Sequence, residues 1–148
     1  MLKETLTYTD YFGNEQTRDF YFHYSEAELT KMQLGQVGGL ERFIEKILQT
    51  QDQPKLADLF EEFILASYGE RSEDGQQFIK NEEVRNRFKQ CPAYSDLFMR
   101  LMTDDEYLAY FIQNVVPQSI REKAAQVEKE RGGDTLIFTQ KPQIESKE

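Results

Sequence analysis

The first 24 residues alternate between apolar and polar side chains in two runs that a turn sequence separates. In the first run, residues 2–9, Leu6 and Tyr8 fall on one side of a strand and threonines on the other. Gly13-Asn14 supplies the positive-φ residues that a tight hairpin connection requires. We therefore expect a β-hairpin whose second strand, residues 17–24, must be covered on one face, because that face carries Phe20, Phe22 and Tyr24.

Apolar residues then recur with the period of a helix, and start and stop signals divide residues 25–117 into separate helices. Ser25 and Glu28 have the spacing of a capping box, which satisfies free backbone donors at a helix start. Pro54 suits the first turn of a longer helix, which we expect to end at Gly69.

Further signals of the same kind continue along the chain. Residues 72–75 have the composition of a turn, and Phe78-Ile79 follows as an apolar anchor. Asn81 and Pro92 suit the starts of the next two helices. A second capping box at residues 103–106 opens another helix.

These elements predict a mainly α protein with an N-terminal β-hairpin, an α+β fold. We expect a single globular domain over residues 1–117, with the hairpin in 1–24 and a compact helical part of about six helices in 25–117. Residues 118–131 predict a peripheral helix, because their apolar content is thin. Residues 132–148 are polar and predict a mobile tail.

Composition excludes several classes of protein. The net charge of −9 argues against nucleic-acid binding, which relies on clustered lysine and arginine. The apolar runs are far shorter than a membrane helix needs, so we expect no membrane partner. A single cysteine cannot form an internal disulfide, which suits a reducing cytoplasm.

Candidate catalytic residues are few. His23 is the only histidine, and Asp19 lies four residues away on the same predicted strand, too far for an acid–base dyad. We expect both on the exposed polar face of the hairpin. Cys91 precedes a helix start, where a thiol pKa can fall, but no base for it is evident. The sequence predicts no enzyme and no catalytic residue.

The acidic clusters do not predict a metal site or a cofactor site. Residues 73–75 lack the alternating oxygen ligands of a calcium loop, and residues 104–106 fan out around a helix. Many carboxylates stand in helix-opening turns, where capping and the helix dipole explain them. That placement also weakens the idea that the acidic chain mimics DNA.

A surplus of apolar side chains beyond the predicted core indicates contact with other polypeptides. Some lie at the hairpin turn, some on the flank of the helix after residue 103, and some in the tail. The candidate partner-binding residues are Tyr11, Phe12, Tyr107, Tyr110, Leu136, Ile137 and Phe138.

Several motifs resemble the tail assembly chaperones of long-tailed bacteriophages. The similarity covers about residues 1–117, and the longer extension beyond Pro117 departs from the family pattern. The motifs are Thr-Tyr-Thr-Asp-Tyr-Phe-Gly-Asn at 7–14, Asp-Phe-Tyr-Phe at 19–22, Tyr-Gly-Glu-x-Ser-x-Asp-Gly at 68–75, Phe-Ile-Lys at 78–80, Ala-Tyr-Ser-x-Leu-Phe-Met at 93–99 and Phe-Ile-x-x-x-x-Pro at 111–117.

The resemblance implies a protein that binds the phage tape measure protein and keeps it soluble until the tail tube polymerises around it. It implies action in the host bacterial cytoplasm and absence from the mature virion. We also expect self-association, with the helix at 118–131 against a neighbouring copy. Two alternatives stay open: an acidic phage protein that inhibits a host nucleic-acid enzyme, and an enzyme with an unrecognised site.

Overall fold

The computed structural model describes residues 1–32 and 39–117. It opens with the predicted hairpin, whose strands are β1, Leu2–Thr9, and β2, Glu15–Phe22. The two strands pair antiparallel along their full length, from Leu2 opposite Phe22 to Thr9 opposite Glu15. The predicted hairpin and the α+β class are confirmed.

The sheet is larger than the predicted hairpin. Two further strands, β3 at Tyr68–Arg71 and β4 at Phe78–Ile79, extend it in the order β1-β2-β3-β4. The expectation that Gly69 caps a helix is wrong, because Gly69 lies in β3 opposite Tyr21. A Cβ atom at Gly69 would come within 2.7 Å of the Phe78 ring, so the close approach of β4 requires glycine there.

The described residues form six helices, three between β2 and β3 and three after β4. They are α1 at Glu26–Lys31, α2 at Gly39–Gln49, α3 at Gln53–Ser67, α4 at Glu82–Lys89, α5 at Pro92–Thr103 and α6 at Asp105–Val115. The Ser25–Glu28 capping box and the Asn81 cap form as predicted. Helix α6 begins one residue later than predicted. Its N-cap is Asp104, which accepts the hydrogen bond from the Tyr107 N–H, whereas the predicted cap Thr103 ends α5.

The core is built on aromatic rings from the base of the hairpin. Phe20, Phe22 and Tyr24 are buried, as predicted, and face rings from the helices. Phe22 lies 5.7 Å from Phe88 and 5.2 Å from Phe111, measured between ring centroids. The helices therefore cover the aromatic face that an isolated hairpin would leave in water.

Two parts of the predicted organisation lie outside the described residues. These are the peripheral helix at 118–131 and the tail at 132–148. Within the described residues, one cluster of buried side chains runs from Leu2 to Val116. The first strand and the end of α6 therefore belong to the same core.

Candidate partner-binding surface

The tip of the hairpin is a five-residue turn, Asp10 to Asn14, held by one carboxylate. The Asp10 side chain accepts hydrogen bonds from the N–H groups of Phe12 and Asn14, each at 2.9 Å, and from the Gln16 amide at 2.8 Å. These bonds lower the pKa of Asp10, with the Gln16 bond contributing most. Gly13 takes a φ of +89°, which glycine adopts without strain. The turn is therefore ordered by its own residues.

This turn presents two aromatic side chains to solvent. Tyr11 is 83% exposed and Phe12 is 91% exposed, the highest values among the large apolar residues that the structure describes as exposed. Both are candidate partner-binding residues, and both lie at the hairpin turn as the sequence predicts. Because the backbone beneath them is fixed, little conformational entropy of the turn would be lost on binding.

Tyr107 does not belong to this surface. The sequence predicts it on an exposed flank of α6, but its side chain is only 4% exposed, so that expectation is wrong. Its hydroxyl donates to the Glu4 carboxylate at 2.5 Å, and the Arg100 guanidinium lies 3.6 Å from its ring centroid. Burial, followed by the bond to Glu4, raises the pKa of Tyr107. The ring joins α6 to β1.

Of the remaining candidates, Tyr110 lies among the described residues, and the other three lie outside them. Tyr110 is half-buried and packs against the core, with its ring centroid 6.1 Å from that of Tyr107. Residues 136–138 lie outside the described residues. Among the described candidates, Tyr11 and Phe12 therefore offer the accessible apolar surface.

A groove between α1, α3 and α4 was not foreseen from the sequence. Its volume is about 680 Å³, and Tyr24, Leu65 and Tyr68 contribute apolar lining. Charged residues of both signs also line it, including Glu62 and Arg85. These residues come from three separate parts of the chain, so no local pattern in the sequence could have indicated the groove.

Lys80 also lines this groove. Its ammonium group donates to the His23 carbonyl at 2.7 Å and to the Glu28 carboxylate at 2.9 Å. Burial raises the pKa of Glu28, but hydrogen bonds from Ser25 and Lys80 outweigh that effect and hold the pKa below its usual value. The Phe-Ile-Lys motif thus joins the sheet to α1 and performs a structural task.

His23 lies in a different environment from the one predicted. It follows β2 and is half-buried against the Phe78 ring, with its Nδ1 atom buried and unpaired among the described residues. Burial and then nearby positive charge, including Lys80, lower its pKa. Asp19 instead accepts a hydrogen bond from Thr5 at 2.7 Å. The structure does not bring Asp19 and His23 together as a dyad.

Other candidate chemistry is equally sparse in the described part of the chain. Cys91 is the N-cap residue of α5 and makes no side-chain capping bond. Residues 1–32 and 39–117 contain no cluster of histidine, cysteine and carboxylates that could hold a metal ion. None of the helices in those ranges has the length and apolar character needed to cross a bilayer.

Comparison with known proteins identifies a family. A family model described as phage tail assembly chaperone matches residues 1–147, well beyond the limit at Pro117, so the expected departure of the C-terminal extension is wrong. No curated protein and no solved structure matches the chain. The family suggests a non-catalytic role with protein partners during tail assembly in the host cell. The chain belongs to the phage tail assembly chaperone family.

Proposed function

We propose that this chaperone binds the tape measure protein of its phage and keeps it soluble until the tail tube polymerises around it. The single observation that carries the proposal is the ordered hairpin tip of a tail assembly chaperone, with Tyr11 and Phe12 almost fully exposed. A rigid turn with two aromatic rings suits an apolar stripe on a helical client. The chaperone would bind in the host cytoplasm and be absent from the mature virion.

The charge of the chain supports the same role. At −9 per chain, each bound copy adds negative charge to the complex, and complexes of like charge repel one another. Two aromatic anchors provide a small apolar contact, which the polymerising tube can displace. We include self-association in the proposal, because several copies would cover a long client.

Co-expression with the tape measure protein of the same phage tests the proposal. We expect the tape measure protein to be insoluble alone and to appear with the chaperone in the soluble fraction. Replacing both tip residues, Tyr11→Ser and Phe12→Ser, should lower the recovered soluble complex several-fold, by roughly the effect of removing two interface anchors. The folded structure should be unaffected, because both rings lie in solvent.

A matched control is Met99→Ser, which removes an apolar side chain that is 52% exposed on α5. This variant should retain the soluble complex. If the tape measure protein stayed insoluble with the unmodified chaperone, the proposal would be wrong. Recovery of a host nuclease or polymerase in its place would favour the inhibitor alternative.

A further inference from the structure

Strand β1 lies at an edge of the sheet, and its free side can be identified from the hydrogen-bond pattern. The Asp10 N–H bonds to the Asn14 carbonyl at 2.8 Å, continuing the register that pairs Tyr8 with Gln16. In an antiparallel ladder, hydrogen-bonded and non-hydrogen-bonded pairs alternate. The even-numbered residues of β1 therefore bond to β2, and the odd-numbered residues direct their backbone groups to the free side.

The other side of the hairpin gives the same assignment. The His23 N–H bonds to the Ser67 carbonyl at 2.8 Å, so the backbone groups of odd-numbered residues of β2 point toward β3. The even-numbered residues of β2 therefore bond to the even-numbered residues of β1. The outward-facing residues of β1 are Lys3, Thr5, Thr7 and Thr9. Their outward backbone groups make no hydrogen bond within residues 1–32 and 39–117. This is an open row of donors and acceptors along the whole of an eight-residue strand.

We propose that two copies of the chain form a two-fold symmetric dimer by antiparallel pairing of their β1 strands. The inference concerns only the self-association part of the proposed function and is independent of tape measure binding. It places the interface on β1, whereas the sequence placed it on the helix at 118–131.

Geometry selects the register of this pairing. Only a two-fold axis at Leu6 pairs all four outward-facing residues, with Lys3 opposite Thr9 and Thr5 opposite Thr7 of the second copy. The pairs then contribute about eight backbone hydrogen bonds, two for each of four hydrogen-bonded pairs. Leu6 lies opposite Leu6 of the second copy on the core side of the sheet, which joins two partly buried apolar side chains.

Charge favours β1 over the other strand of the hairpin. β3 pairs with β2 only at Tyr21 and Phe22, so the rest of β2 also has a free side. Pairing β2 with its own copy would place Glu15 opposite Asp19 of the second copy, and like charges directly opposite one another are destabilising. The outward-facing residues of β1 include no carboxylate, so they meet no such repulsion.

Proline substitution at two paired threonines tests the inference. Thr7 and Thr17 lie opposite each other, and their hydroxyl groups share one hydrogen bond of 2.9 Å. Thr7→Pro removes an outward N–H from β1, and the control Thr17→Pro removes an outward N–H from β2. Both variants lose the same hydroxyl contact and keep the backbone hydrogen bonds between β1 and β2. They differ only in whether the lost N–H lay on the free side of β1 or on the free side of β2.

Sedimentation equilibrium of the full chain provides the readout. We expect the mass to approach twice 17.5 kDa as concentration rises. Thr7→Pro should weaken the dimer about tenfold or more, since it removes donors at two symmetric positions, and Thr17→Pro should leave it unchanged. Added salt should tighten the wild-type dimer, because each copy carries −9 charge.

Disulfide cross-linking decides the matter independently of whether the proline variants fold. With Cys91 replaced by alanine, Leu6→Cys places two thiols opposite each other, where antiparallel strands have Cα atoms about 4.5 Å apart. It should form a disulfide-linked dimer on mild oxidation. Arg18→Cys, at the residue of β2 paired with Leu6, should not.

Several outcomes would overturn the inference. One is a monomeric wild type up to millimolar concentration, and another is equal weakening by the two proline substitutions. If the wild type were monomeric and Thr7→Pro abolished binding of the tape measure protein, the free edge of β1 would instead bind an extended segment of that client. If the Tyr11→Ser, Phe12→Ser variant lost the tape measure protein while Leu6→Cys still formed the cross-linked dimer, the result would bear on the proposed function and leave the dimer inference unaffected.

Discussion

The two ends of the β1–β2 hairpin carry the same kinds of side chain in opposite environments. At its base, Phe20 and Phe22 are buried among rings of α4 and α6. At its tip, Tyr11 and Phe12 extend from a turn that its own hydrogen bonds hold in place. The same residue type therefore stabilises the fold at one end and remains available for binding at the other.

The most direct test of this difference replaces one phenylalanine at each end. Phe22→Ala should lower the free energy of unfolding by about 3–5 kcal/mol, because it leaves a cavity where the ring met Phe88 and Phe111. Phe12→Ala should change it by no more than about 0.5 kcal/mol. Urea unfolding followed by circular dichroism measures both. Similar losses for the two variants would contradict the assignment of base and tip.

The two ends also depend on glycine for different reasons. Gly69→Ala at the base should lower the free energy of unfolding by about 1–3 kcal/mol, because its Cβ atom would overlap the Phe78 ring. Gly13→Ala at the tip should cost about 1 kcal/mol through its positive φ alone, since an added Cβ atom there would meet nothing within 4 Å.

A double-mutant cycle with Phe78→Leu separates these causes, again by urea unfolding. A smaller side chain at Phe78 should relieve part of the Gly69→Ala penalty, with a coupling free energy of about 0.5 kcal/mol or more. Gly13→Ala should show no coupling to Phe78. Additive effects of Gly69→Ala and Phe78→Leu would contradict the steric account.

The smallest effects concern titration at each end. His23 near the base should titrate below 6.5 in an NMR experiment, because burial lowers its pKa. The unfolded chain therefore binds the proton more readily, so His23 supports stability fully above pH 6.5 and progressively less as the pH falls toward its folded pKa. Gln16→Ala should raise the pKa of Asp10 at the tip and leave that of His23 unchanged. A folded His23 pKa at or above 6.5 would contradict this assignment.

Local signals in the sequence predicted the elements whose causes are local. Alternation predicted the hairpin, and the Ser25–Glu28 spacing predicted a capping box that forms with hydrogen bonds of 2.7 and 3.1 Å. The exposed tip followed from two aromatic residues in a turn. Each of these features depends on residues within a few positions of one another.

Features that depend on distant residues were missed. β3 has four residues and directly follows a helix, so its pairing with β2 has no signal of its own. Tyr107 looked superfluous because α6 already had an apolar face, whereas its hydrogen-bond partner Glu4 lies at the start of the chain. The groove between α1, α3 and α4 was missed for the same reason, because its lining residues come from three distant parts of the chain.

The link between Glu4 and Tyr107 has a consequence for biosynthesis. A second link joins the same regions, because the Tyr24 N–H donates to the Val115 carbonyl at 2.8 Å. A nascent chain cannot make either contact until α6 has left the ribosome. The hairpin is therefore translated well before α6, and the contact that covers Phe22 with Phe111 forms only after that helix is made.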